Sequence, residues 1–169
     1  MSTQAEEGIA IQTGDQLIKA SPLGAELSDA QVDTLAKLIT VTSLKDGEFL
    51  LQEGHADDVL YVIASGKLEV CKDVGGGEHI TLQVLHAGDM AGELGFIDGH
   101  KHSAGLRAIG ECSVFGLLRS DLEGLLKTDG ELVYKVMRAI IRTVHRILRQ
   151  MNIQYAEMQN YIAKQHGRY

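Results

Sequence analysis

The residues best suited to bind a small ligand fall in one short stretch, Gly92 to Ala104. Gly92 permits a sharp backbone turn, and residues 93–97 can form one helical turn whose free N–H groups favour an anion. The Glu93 carboxylate can accept hydrogen bonds from a hydroxyl group, and Ser103 offers a hydroxyl of its own. The backbone amides of Ser103 and Ala104 add further donors. The stretch therefore has the chemistry to bind a ligand that is both anionic and hydroxylated.

The order of these residues is distinctive. Gly92-Glu93-Leu94, followed by Ser103-Ala104 and Arg107-Ala108, resembles the phosphate-binding cassette of cyclic-nucleotide-binding domains. Such domains occur in catabolite-activator-type regulators, protein kinase A regulatory subunits and nucleotide-gated channels. In that family the Glu binds the ribose 2′-hydroxyl, and an Arg directly before the Ser-Ala pair binds the cyclic phosphate. The resemblance implies cyclic AMP or cyclic GMP as the ligand, no cofactor, and a site made of Gly92, Glu93, Leu94, His102, Ser103 and Ala104.

His102 stands where the family has its Arg. An Arg offers a bidentate fork that is always charged, whereas a His is shorter and mostly neutral at pH 7. Losing such a charge-assisted contact to a buried phosphate costs about 2–5 kcal/mol, a factor of roughly 30 to several thousand in affinity. Lys101 and Arg107 are candidate substitutes for the cation. Thr143 is the candidate for the hydroxyl that bacterial members place on their last helix to contact the adenine.

Composition excludes several other classes. The 169 residues suit one domain plus an extension, and the formal charge of −7 argues against a protein-wide DNA-binding surface. Cys71 and Cys112 cannot form a disulfide framework, and both are expected to be small buried hydrophobes. The chain has no apolar run of about 20 residues and no signal peptide, so a cytoplasmic location is predicted. Neither a metal-ligand spacing nor a nucleophile–base motif is present, so neither a metal site nor an enzyme is expected.

The elements around the cassette predict a mainly β fold with flanking helices. Regularly spaced Gly turns separate short strand-like runs, as in a sandwich or barrel. With the resemblance, they imply an eight-stranded β-roll of the double-stranded β-helix (jelly roll) type over residues 21–130. Ser65-Gly66 is expected to turn a hairpin, and Gly75–Gly77 to form a hairpin tip and not a phosphate loop. Residues 1–20 are predicted to be a flexible segment with a short helix over Thr13–Lys19, and Ser28 to cap the next helix with Gln31.

Residues 131–169 are predicted to form a C-terminal unit whose helix runs over residues 131–164. This helix is longer than the domain can cover. Apolar residues at heptad spacing form a seam from Val133 to Tyr161, and a second row runs from Tyr134 to Ile162. At ~1.5 Å per residue the helix is roughly 50 Å long. A homodimer through this helix is therefore predicted; the alternative is a monomer whose helix folds back on its own barrel.

The same helix also carries cations. Lys135, Arg138, Arg142, Arg146 and Arg149 are placed on its outer face, where they contact nucleic acid or an acidic partner, or are simply solvated. No helix-turn-helix domain follows, so sequence-specific DNA binding is not expected.

Two functional hypotheses follow. In the first, the chain is a sensor that couples a ligand in the cassette to a helical dimer. In the second, it is a degenerate member that serves as a dimeric protein-interaction adaptor. The surroundings of His102 discriminate between them, because a filled, positive pocket favours the sensor and a pocket closed by side chains favours the adaptor.

Overall fold

Two long antiparallel strands organise the molecule. A computed structural model describes residues 12–166, in which these two strands pair from Val59↔Leu118 to Cys71↔Gly105. The remaining strands extend this pair into a six-stranded antiparallel sheet of order β1-β6-β3-β4, with β2 added to β6 and β5 added to β3. The elements are α1 (Gly14–Lys19), a 3-10 turn (Pro22–Gly24), α2 (Asp29–Ala36), β1 (Ile39–Leu44), β2 (Phe49–Leu51), β3 (Val59–Gly75), β4 (Glu78–His86), β5 (Met90–Ala91), α3 (Glu93–Asp98), β6 (Gly105–Leu118), α4 (Arg119–Gly124) and α5 (Gly130–His166).

The predicted hairpin at Ser65-Gly66 is wrong. Both residues lie inside β3, where its pairing with β6 shifts register on either side of Ser65. Gly66 has φ +80°, and a Cβ there would lie 2.3 Å from the carbonyl oxygen of Glu111. A glycine within a strand pattern marks a bulge as readily as a turn, so two predicted strands are halves of one bent strand. The hairpin tip at Gly75–Gly77 is confirmed, since it joins β3 to β4 at Gly75↔Glu78.

The helices before the barrel are packed against it. Residues 1–11 of the predicted flexible segment lie outside the described residues. For Gly14–Lys19 the prediction of a flexible segment is wrong, because Leu17 and Ile18 of α1 are buried. The predicted cap of α2 is confirmed: Ser28 accepts from the Gln31 N–H, and the Gln31 side chain accepts from the Ser28 N–H.

The protein has two apolar cores. One fills the barrel, and both cysteines are buried as free thiols, Cys112 within this core. The other lies between the sheet and the helices, and it includes Phe96 of α3, Phe115 of β6 and Ile140 of α5. The helix that begins the cassette is therefore anchored in the core that also holds α5.

Helix α5 runs over Gly130–His166, close to its predicted bounds. Its first half packs on the barrel through Val133 and Ile140, whereas every residue from 148 to 164 is exposed. No helix in the described part of the chain is both long enough and apolar enough to cross a membrane.

Four of the five basic residues of α5 are exposed, as expected of an outer face, but three of the five also pair with carboxylates outside the helix. Arg138 and Arg142 both pair with Glu26, which lies just after the 3-10 turn. Arg146 pairs with Asp89, in the turn before β5. These ion pairs link the exposed cationic side of the helix to the segment after the 3-10 turn and to the turn before β5.

Candidate functional site

A tight turn places the cassette helix. Gly92, the residue before α3, has φ +78°, and a Cβ there would lie 2.8 Å from the carbonyl oxygen of Val59. Only glycine combines this left-handed conformation with so close an approach. Gly99 ends α3 in the same conformation, with φ +71°. The buried side chain of Phe96 fixes the six-residue helix between these two glycines.

Glu93 opens α3 and is half-buried. Burial raises the pKa of its carboxyl, and the opposing influences of its own backbone N–H and of His102 are smaller. A carboxylate in such a place is stabilised by hydroxyl groups that donate to it. Leu94, the next predicted site residue, is 59% exposed. Glu93 is thus the member of this pair with the chemistry of a hydroxyl-binding group.

Hydrogen bonds fix both the backbone and the imidazole ring of His102. Its backbone N–H donates to the His55 carbonyl at 2.8 Å, and its carbonyl accepts from the Gly54 N–H at 2.8 Å. Its ring Nε2 lies 2.9 Å from Asp57 Oδ1, and its side chain is only 9% exposed. Its Cε1 would lie 2.9 Å from a Cβ at Gly95, so the ring packs against α3. Because a carboxylate accepts hydrogen bonds, the Nε2 proton of His102 is committed to Asp57.

Asp57 has a second partner that strengthens this arrangement. The Tyr61 hydroxyl donates to Asp57 Oδ2 at 2.8 Å. Burial, and then this hydrogen bond, raise the pKa of the Tyr61 phenol, so it stays a donor. The resulting Tyr61–Asp57–His102 cluster escaped sequence reasoning, because Asp57 and His102 are 45 positions apart and no motif links them.

One of the two predicted substitute cations is engaged by a carboxylate of the barrel, and the other is exposed. Arg107 is held by Glu69, with 2.5 Å between Nε and Oε1, and Lys101 is exposed. Lys72, which the sequence did not single out, donates to the Ser103 carbonyl at 3.0 Å and to Glu53 at 2.5 Å. It therefore holds the backbone at the end of the cassette while its charge is paired.

The other predicted groups are dispersed. The Ser103 side chain is exposed and Ala104 is half-buried. Thr143 is buried beside the 3-10 turn, where it lines a groove with Leu23. The His100 ring pairs with Asp98, and the residues the structure describes contain no cluster of three or more His, Cys, Asp or Glu that could hold a metal ion.

Comparison with known proteins identifies the family. The model of the cyclic nucleotide-binding domain matches residues 41–129. The chain belongs to this family. The predicted resemblance is therefore confirmed, and the match spans every strand from β2 to β6 together with α3 and α4.

Relatives of this cyclic nucleotide-binding domain include the "Cyclic AMP receptor protein" of Thermus thermophilus, 28% identical over 110 residues, which are 65% of this chain and 51% of that protein. An uncharacterized NTE family protein of Mycobacterium tuberculosis is 27% identical over 129 residues, 76% of this chain but 21% of that protein. The chain thus spans about half of one relative and a fifth of the other. The second match does not show catalysis here.

Solved structures confirm the fold. A cyclic nucleotide-binding domain from Methylobacillus flagellatus matches with a TM-score of 0.77 at 22% identity, over 88% of this chain and 87% of that one. The N-terminal domain of a transcriptional regulator from Streptomyces coelicolor matches with a TM-score of 0.66 at 27% identity, over 80% and 94%. The regulatory domain of Toxoplasma gondii PKA with cAMP matches with a TM-score of 0.59 at 25% identity, over 72% and 47%.

Within this cyclic nucleotide-binding domain, the His102–Asp57 pair differs electrostatically from an arginine. The pair carries a charge of −1 when the imidazole is neutral and no net charge when it is protonated. An arginine in place of His102 carries +1 under all ordinary conditions. The pair therefore never supplies the net positive charge that neutralises a bound anion.

Proposed function

We propose that this chain is a regulatory module that binds a hydroxylated ligand at Glu93 and reports its presence through a dimer of α5. Membership of the cyclic nucleotide-binding family supports the regulatory role. The half-buried carboxylate of Glu93, whose pKa is raised by burial, supports the ribose end of the site, because sugar hydroxyls would satisfy it. Domain bounds of 21–130 and 131–169, and a cytoplasmic location, remain predictions.

The observation that carries the proposal for ligand preference is the 2.9 Å contact between His102 and Asp57. A cyclic phosphate placed beside this pair would meet no net positive charge. We therefore expect the wild-type protein to bind cyclic AMP and cyclic GMP weakly. The deficit relative to an arginine-bearing cassette is about 2–5 kcal/mol, at least about thirtyfold in affinity.

Calorimetric titration of both nucleotides tests this ligand preference. The decisive variant is His102→Arg combined with Asp57→Asn, because the amide removes the competing charge yet still accepts a hydrogen bond from Tyr61. We expect it to bind a cyclic nucleotide at least about thirtyfold more tightly than the wild type. His100→Arg is the matched control, since it adds the same charge to the same loop at an exposed position. Micromolar binding by the wild type would refute the proposed role of the His102–Asp57 pair.

The adaptor is the second candidate, and the same cluster favours it. His102, Asp57 and Tyr61 satisfy one another without a ligand. If the double variant also fails to bind either nucleotide while staying folded by circular dichroism, the ligand-binding proposal is abandoned in favour of the adaptor.

The dimer is proposed from the distal half of α5. Residues 148–164 are all exposed, and they include apolar side chains from both predicted rows. A helical segment whose apolar side chains stay exposed has marginal stability in water. A second copy of the same helix would cover these side chains, and we propose a homodimer through residues 131–164.

A further inference from the structure

One cavity of the molecule lies away from the Gly92–Ala104 cassette. Its volume is about 260 Å³, and it lies between the 3-10 turn and the first half of α5, partly open to solvent. None of its lining residues belongs to the Gly92–Ala104 stretch. The residues that line it are Pro22, Leu23, Ala25, Glu26, Lys135, Ala139, Arg142, Thr143 and Arg146.

The cavity is apolar inside and cationic at its rim. Leu23 and Ala139 contribute its apolar lining, whereas Lys135, Arg142 and Arg146 bring three cations against one lining carboxylate, Glu26. This excess of positive charge is found in a chain whose formal charge is −7. Local concentration of cations against the sign of the whole protein is typical of a site that receives an anion.

Neighbouring carboxylates leave this charge only partly neutralised. Glu26 is shared between Arg142 and Arg138, the latter at 3.4 Å. Arg146 is 3.6 Å from Asp89, near the outer limit of an ion pair. Lys135 pairs with Glu131 at 2.7 Å. Four cations thus face three carboxylates, and Arg146 is the least tightly paired of them.

The hydroxyl of Thr143 adds a polar group to the apolar part of the cavity, next to the arginines of the rim. Thr143 is only 5% exposed and lines the cavity on the α5 side. Its hydroxyl can donate one hydrogen bond to a bound group. Arg142 and Arg146 flank it on the helix one residue before and three residues after, so the three side chains fall on one side of α5.

We propose that this cavity is a binding site for a small organic anion, a carboxylate or phosphate monoester with a compact apolar body. Its apolar part would rest on Leu23 and Ala139. Its charged group would meet Arg142, Arg146 and Thr143. The volume lies at the small end of ligand pockets, which restricts the occupant to a compact molecule about the size of one aromatic ring with its acid group. The site is independent of the function proposed for the cassette.

Titration of the isotopically labelled full chain with phenyl phosphate, and separately with benzoate, tests this site by nuclear magnetic resonance. We expect saturable shifts at Leu23, Ala139 and Thr143, with no comparable shifts at Glu93–Ala104. Binding of one probe only would identify the acid group and still uphold the organic-anion site. Failure of both probes to bind below about 10 mM would overturn it.

Substitutions at the rim test the role of charge. Arg146→Gln should weaken binding about fivefold, the upper range for a partly exposed ion pair. Glu26→Gln should instead tighten it by a similar factor, because the variant removes the carboxylate that competes for Arg142. Arg149→Gln is the matched control on an exposed part of the same helix, and it should bind like the wild type.

Filling the cavity tests the apolar part. Ala139→Leu keeps every charge at the rim and should abolish binding of both probes. Tighter binding by Arg146→Gln, weaker binding by Glu26→Gln, or unchanged binding by Ala139→Leu would each overturn the proposal.

Discussion

Replacing Leu148 by Asp should dissociate the proposed dimer without unfolding the domain. Leu148 belongs to the second apolar row of α5, and 52% of its surface is exposed. No residue beyond Ile147 on α5 contributes to either core of the described chain. The substitution therefore acts on the interface between subunits and not on the packing within one subunit.

The size of the effect follows from exposure and symmetry. Burying a whole leucine side chain contributes about 1.5–3 kcal/mol, and about half of Leu148 remains to be buried. In a two-fold dimer each substitution occurs twice, so the loss is about 1.5–3 kcal/mol, before the cost of placing two like charges near each other. We expect the dissociation constant to rise at least about tenfold in total.

Sedimentation velocity over a concentration series measures this change directly. Leu82→Asp is the matched control, because Leu82 is 59% exposed but lies on β4, away from α5. The control should sediment like the wild type, and both variants should keep the wild-type circular dichroism. A dimer that survives Leu148→Asp at low micromolar concentration, or a wild-type protein that is a monomer, would contradict the assignment of this row to the interface.

Two further substitutions test the cassette and the bent strand. Glu93→Gln should raise the free energy of unfolding at pH 7, because burial raises the pKa of this carboxyl and the folded state disfavours its charged form. A raised pKa makes the folded state bind protons more readily, so the advantage of the variant should shrink as the pH falls through the raised pKa towards about 4.5; an advantage that does not depend on pH in urea titrations would disprove this cause. Gly66→Ala should destabilise the protein by more than about 2 kcal/mol, since φ is +80° and the new Cβ would meet Glu111; thermal unfolding close to that of the wild type would show that the bulge can relax.

The sequence predicted the positions of the helices and of one turn better than it predicted where one strand ends and the next begins. Periodicity and capping residues located α2 and α5, and the Gly-rich tip located the β3–β4 turn, because those features depend on local chemistry. Ser65-Gly66 was misassigned as a turn. Whether a glycine bends one strand or separates two depends on its partner strand, here near Glu111, and the partner is distant in sequence.

The candidate site divides along the same line. The Gly92-Glu93 turn was predictable, because it is contained in a few consecutive residues. The fate of His102 was not, since its partner Asp57 comes from the loop before β3. The basic residues of α5 were expected to point outward. Four of the five are exposed, but the ion pairs that three of them form with Glu26 and Asp89 could not be predicted from periodicity within the helix.

Because only the first half of α5 is packed on the domain, a small tilt of the helix there becomes a larger displacement at its exposed end. Between Gly130 and Lys164, Thr143 is the last buried residue, and about 21 residues, roughly 32 Å of helix, extend from there to Lys164. A tilt of about 5° at this fulcrum displaces the far end by about 3 Å, more than half the rise of one helical turn. The ion pair between Arg146 and Asp89 lies within one helical turn of Thr143. It connects α5 to the turn that leads through β5 into Gly92. Small adjustments of that turn would therefore reach the tip of the helix as movements large enough to change which side chains meet across a dimer.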